Sequence, residues 1–186
     1  MSISFKRTAA AGFTLIELLI VVIILAIISA IAIPQFSAAT SDAQESALDA
    51  NLATMRNSLE QYRAQHTGNV YPGANASSGA TCPAGAAPGT GAAGTLQAMQ
   101  DQLMFASNAA GQTCSIAGGA FRFGPYVRQG LPTEPITSSD AVVVTTTGAP
   151  IVATAATGGW AYDTSSGQFV MNSNAEGADE RAFFER

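Results

Sequence analysis

Hydrophobic and polar positions change rhythm twice along this chain. Residues 13–33, FTLIELLIVVIILAIISAIAI, are apolar except at Thr14, Glu17 and Ser29, and an α-helix of that length spans roughly 31 Å, the thickness of a bilayer's hydrocarbon core. Beyond Pro34 the pattern becomes amphipathic. Leu48, Leu52, Met55, Leu59 and Tyr62 recur on one helical face, with Asp49, Asn51, Arg56, Asn57, Glu60 and Arg63 on the other. Asp42 and Glu45 come early and Arg56 and Arg63 late, which suits the helix dipole, and Gly68 is the expected stop. A single helix from residue 13 to about 66, roughly 80 Å long, is predicted.

The next change is to short elements. Residues 68–94 are rich in Gly, Ala, Pro and Ser and read as a long surface connection. Leu96, Met99 and Leu103 predict a short helix ending near Gly111. After it the period is two: Phe121/Phe123, Val142/Val144, Ile151/Ala153, Trp160/Tyr162 and Phe169/Met171 alternate with small or polar neighbours, as strands do. Turns are expected at 147–150 and 163–167, and residues 175–186 read as solvated or covering a sheet edge. The fold class predicted is α+β: a long N-terminal helix whose amphipathic half packs on one face of an antiparallel β-sheet head. The expected organisation is a leader at 1–12, a membrane span at 13–34, the amphipathic half of the same helix at 35–67 and the head at 68–186.

Charge fixes the orientation. Lys6 and Arg7 precede the apolar run, which places the leader in the cytoplasm and exports the rest. A disposable secretory signal, cut after Ala30-Ile31-Ala32 to release a soluble protein at Ile33, is the competing reading. It fits poorly, because its apolar stretch is usually 7–15 residues long and has no use for a carboxylate such as Glu17, which costs about 2.5–3.5 kcal/mol at the centre of a membrane helix.

Gly12-Phe13-Thr14-Leu15-Ile16-Glu17, the apolar run behind it and Pro34 resemble the class III signal of type IV prepilins and pseudopilins. The resemblance implies cleavage between Gly12 and Phe13 by a prepilin peptidase that also N-methylates Phe13. It makes Glu17 the family's acidic assembly residue, which would meet the Phe13 amine of a neighbouring subunit; protonation of Glu17 facing lipid is the alternative. Pro34 is a point where the helix can kink. Implied partners are that peptidase/N-methyltransferase, identical and related pilin subunits in a homopolymer filament, an inner-membrane assembly platform and the membrane itself. The implied location is the inner membrane, head outward, and then an extracellular pilus or a periplasmic pseudopilus. Many pilins place a Cys pair close to the C-terminus. Here Cys114 is 72 residues from the end, while residues 124–135 are loosely similar to a loop of main pseudopilins.

Composition narrows the remaining chemistry. Charged residues are 11% of the chain against roughly 25% ordinarily, and the net charge is −5, so no nucleic-acid partner is expected. Cleavage after Gly12 would leave six Arg and thirteen acids, and no lysine, so the N-terminus would be the chain's sole amine. Two Cys in an exported chain predict a Cys82–Cys114 disulfide, with two free thiols as the alternative. No cofactor or metal is expected: Asp140 and Asp163 lack a D-x-D-x-D series for calcium, and Asp163 reads as a turn residue. His66, the chain's one His, stands at a helix end where a catalytic constellation is not expected. Gly118-Gly119 and Gly158-Gly159 read as turns, and Trp160 and Tyr162 as core, with a ligand surface as the alternative. The chain reads as a structural protein, a substrate of enzymes and not itself one.

Overall fold

The computed structural model describes residues 12–186. The leader residues 1–11, with Lys6 and Arg7, lie outside the described residues. The chain divides into two units, one ending at Thr40 and a head running from Ser41 to Arg186.

Helix α1 (Leu15–Gln65) runs through both units, Pro34 included. Pro34 has no N–H to give the Ala30 carbonyl, so one rung is missing from a ladder that otherwise continues. Below Thr40 the helix buries none of its large apolar side chains. In the head, Leu48, Leu52, Met55, Leu59 and Tyr62 are all at most 1% exposed, on the predicted stripe. α1 stops three residues before Gly68, whose φ of +84° is a conformation that L side chains rarely adopt.

Helix α2 (Leu96–Met104) is capped by Thr95, whose hydroxyl accepts from Ala98 N–H. It ends well before Gly111, because residues 106–114 fold instead into a two-residue hairpin, β1 (Ala106–Ser107) antiparallel to β2 (Thr113–Cys114). Strands β3 (Val142–Thr145), β4 (Trp160–Asp163) and β5 (Phe169–Met171) form the main sheet in that order.

This sheet is mixed. β4 and β5 are antiparallel across the predicted 163–167 turn, but β3 runs parallel to β4, with Val142 opposite Trp160. Alternation marks a strand without fixing its direction, and the stretch from Thr146 to Gly159 is long enough for the crossover that parallel pairing requires. Ile151 and Ala153, expected as a strand, belong to that crossover. Ile151 N–H donates to the Gln168 side chain, and Asn174 donates to Ala155 and Thr154, so the crossover is tied to both ends of β5. The sheet face bearing Ala161 and Val170 is buried as well. Phe121 and Phe123 make only isolated bridges, to Gly118 and Ser107.

The other sheet face presents Trp160, Tyr162, Phe169 and Met171 to the α1 stripe and to Met99 and Leu103 of α2. Burying each of these large side chains contributes about 1.5–3 kcal/mol, so this shared core is what holds helix and sheet together. The final segment closes over β5: Phe184 N–H donates to Ser173 O, and Phe183 is buried in the same core.

Candidate functional site

The N-terminal segment begins with a reciprocal cap. Thr14 Oγ1 accepts from the N–H of Glu17 at 3.3 Å, while a Glu17 carboxylate oxygen accepts from the Thr14 N–H at 2.9 Å and its hydroxyl at 2.7 Å. Two of the helix's otherwise unmatched donors are satisfied this way. The carboxylate is also at the positive end of the helix dipole. Glu17 therefore has a partner within its own chain, which the sequence reading overlooked although Thr-x-x-Glu before an apolar run is the signature of such a cap. Both residues stay in the chain if it is cut after Gly12, and so does the amide that Thr14 donates.

The other residues of this end are open. Phe13 is 86% exposed and Leu15 85%. A Cβ added at Gly12 meets nothing within 4 Å, so no described residue requires a glycine there. α1 contains a stretch long and apolar enough to cross a membrane, and that stretch is nowhere buried within the chain.

The remaining predicted residues fall in the head, apart from this segment. Cys82 and Cys114 are joined in a disulfide, with Cα atoms 5.7 Å apart, and anchor the long 68–94 connection to β2. Asp163 is a turn residue, as expected, but fully buried. Its oxygens accept from the N–H groups of Gly148, Ser165 and Ser166 and from the hydroxyls of Thr145, Thr147 and Ser166. Burial alone would raise its pKa, but these hydrogen bonds overcome that and hold it at about 2. Trp160 donates through its indole to Pro132 O, and Tyr162 through its hydroxyl to Pro72 O; both are core residues.

His66 is buried at the end of α1. Its Nδ1 lies 2.7 Å from Tyr62 O and its Nε2 2.9 Å from Ser107 Oγ. A carbonyl can only accept, so Nδ1 carries the proton and Nε2 accepts from the hydroxyl. This pair has no carboxylate behind the imidazole, and Ser107 is fully covered, so what it does is tie β1 to α1.

A cluster around Arg186 was not legible from spacing. Arg186 pairs with Glu45 at 2.6 Å, Asp179 at 2.8 Å and Asp49 at 3.3 Å, and Arg56 donates to the main-chain oxygens of Phe169 and Arg186. Arg56, placed on a solvated face by the helical pattern, and Glu45 are thus tied to the segment that covers β5. Among the described residues no group of three or more His, Cys, Asp or Glu is placed to hold a metal ion.

No curated protein and no solved structure matches the chain. Residues 7–33 match the prokaryotic N-terminal methylation motif, the class III signal of type IV pilins. That motif, with the exposed apolar helix behind it and the pilin-like α+β fold, supports a type IV pilin- or pseudopilin-like prepilin substrate.

Proposed function

We propose that this chain is the structural subunit of a type IV pilus-like filament. It is held in the inner membrane as a prepilin, cut between Gly12 and Phe13, methylated at the new terminus and polymerised through residues 13–33. The observation that carries this reading is the apolar half of α1, which exposes Leu, Ile and Val on every side behind the methylation motif. Such a surface is stable in lipid or against other copies of itself, and not in water. In the filament, Glu17 would exchange its bonds to Thr14 for the cationic Phe13 amine of a neighbour, which sets the register between subunits.

The absence of lysine after residue 12 makes the pairing testable. A zero-length carbodiimide crosslink in assembled material has only the N-terminal amine to use, so a Phe13–Glu17 linkage between chains is the expected product. Mature chains starting at unmodified Ile33 would overturn the reading and favour a soluble exported binding module.

A second reading is the pseudopilin of a secretion or DNA-uptake machine. It is supported by residues 124–135, whose likeness to a pseudopilin loop is joined here by firm anchorage: Tyr126 and Val127 N–H groups donate to Leu103 O, and Pro132 accepts from Trp160. Long surface fibres containing the chain favour the first reading, and confinement to the periplasm favours the second.

A further inference from the structure

The main sheet has two edges, and they are treated differently. The β5 edge is covered: Arg56 donates to Phe169 O, and Phe184 N–H to Ser173 O. At the β3 edge, Trp160 N–H donates to Ala141 O and Thr164 N–H to Thr145 O, so the main-chain groups of every second residue face β4. Those of Val142 and Val144 therefore point outward, and among the described residues no hydrogen bond reaches them.

Exposed edges in natural sheets are commonly guarded by a charge, a proline or a bulge. β3 reads Val-Val-Val-Thr, and no charged residue occurs from Ala141 to Tyr162. Val142 and Val144 pack into the core, whereas Val143 lies on the opposite face and is 50% exposed.

An open edge accepts an extended strand, and β3 is complementary to its own copy. Laid antiparallel about a two-fold axis at Val143, Val142 stands opposite the copy's Val144, and Val144 opposite the copy's Val142. Both are hydrogen-bonded positions, so all the outward main-chain groups of these residues are matched together. Val143 then meets the copy's Val143 in the closer, non-hydrogen-bonded position, with Cα atoms about 4.5 Å apart and each side chain covering the other. The whole chain is negative, yet this approach sets no like charges against each other along the strand.

We infer that β3 pairs antiparallel with β3 of a second copy of this chain, joining the two sheets edge to edge. The axis of such a pair is perpendicular to the sheet, and α1 packs along the sheet's core face. The copy's α1 therefore runs the opposite way, so the partner is a head approaching with its anchor reversed and not a neighbour in the same membrane. The contact is isologous and closes on itself; it goes beyond the filament reading and does not depend on it.

The test uses the full-length chain purified in detergent, where anchors are free to point in opposite directions. On oxidation, Val143→Cys should give roughly tenfold more disulfide-linked dimer than Val152→Cys, because only the former brings its thiols within bonding geometry, although Val152 is the more exposed at 64%. Ala141→Cys, exposed on the same edge, should stay at the Val152→Cys level, since this register holds it about 14 Å from its counterpart. Val143→Lys should lower the dimer association constant measured by sedimentation roughly tenfold. Melting temperature establishes that each head is folded. Equal crosslinking at the three positions, or sedimentation unchanged in Val143→Lys, overturns the pairing and leaves the filament reading standing.

Discussion

The imidazole of His66 lies flat on the ring of Tyr62, with centroids 3.6 Å apart and planes 13° from parallel. Phe123 and Tyr126 close the pocket at 5.3 and 6.3 Å, so the aromatic walls bring no opposite charge to an imidazolium. Burial pushes the His66 pKa below the usual value, against the opposing pull of its bond to Tyr62 O. The unfolded chain therefore binds a proton that the folded head resists. Stability is fully present above about pH 6.5 and falls as pH drops below it, until the folded imidazole also protonates. Thermal melting of the wild-type head at pH 7.5 and pH 5 should show the lower midpoint in acid. In His66→Gln the difference should shrink.

Asp163 responds to pH in a different window. As a carboxylate held at about 2, it contributes stability above its unfolded value near 3.8 and loses that contribution as pH falls through 2. Asp163→Asn puts a donor where the site presents donors from Gly148, Thr145 and Ser166. A loss of about 2–4 kcal/mol is expected in a denaturant titration at pH 7. The gap between variant and wild type should narrow in acid, and a gap unchanged at pH 2 would contradict this account.

The disulfide closes a loop between positions 32 apart in sequence. Loop-closure entropy makes it worth about 3–4 kcal/mol. Cys82→Ala with Cys114→Ala, or reduction, should lower the head's unfolding free energy by that amount. Residues 79–86 of the connection should become sensitive to proteolysis before the α1–sheet core does, because the bond to Cys114 holds them to β2, whereas residues 71–77 and 87–91 are also held by hydrogen bonds to Gln102, Asp101, Thr113 and Ser115.

Sequence and structure agree most where one physical signal is sufficient. The Leu48–Tyr62 stripe is legible because a helix that buries one face must repeat every three or four residues. Trp160, Tyr162, Phe169 and Met171 are legible through period two. What depends on distant partners is not. The pattern cannot say that Val142 pairs in parallel with Trp160, nor that Arg56 and Glu45 bond to residues more than 110 positions away. The Thr14–Glu17 cap is a different case: its signature, Thr-x-x-Glu ahead of an apolar run, is local and present in the sequence.

That cap separates two roles that an alanine at Glu17 would confound. Glu17→Ala removes both the cap and the carboxylate's charge. Thr14→Ala removes the hydroxyl, costing the first turn about 1 kcal/mol, yet leaves the carboxylate able to meet an amine. Glu17→Gln keeps an oxygen to accept from the Thr14 N–H but carries no charge to attract a cationic terminus. If Glu17 acts in assembly by pairing with the Phe13 amine, Thr14→Ala should assemble within a few-fold of wild type, while Glu17→Gln should lose roughly tenfold or more in filament yield. Capping as the sole role predicts the opposite order, with Glu17→Gln near normal and Thr14→Ala impaired. Quantifying sheared filaments from the two variants, with N-terminal processing verified by intact mass, distinguishes a residue that only starts a helix from one that also fits subunits together.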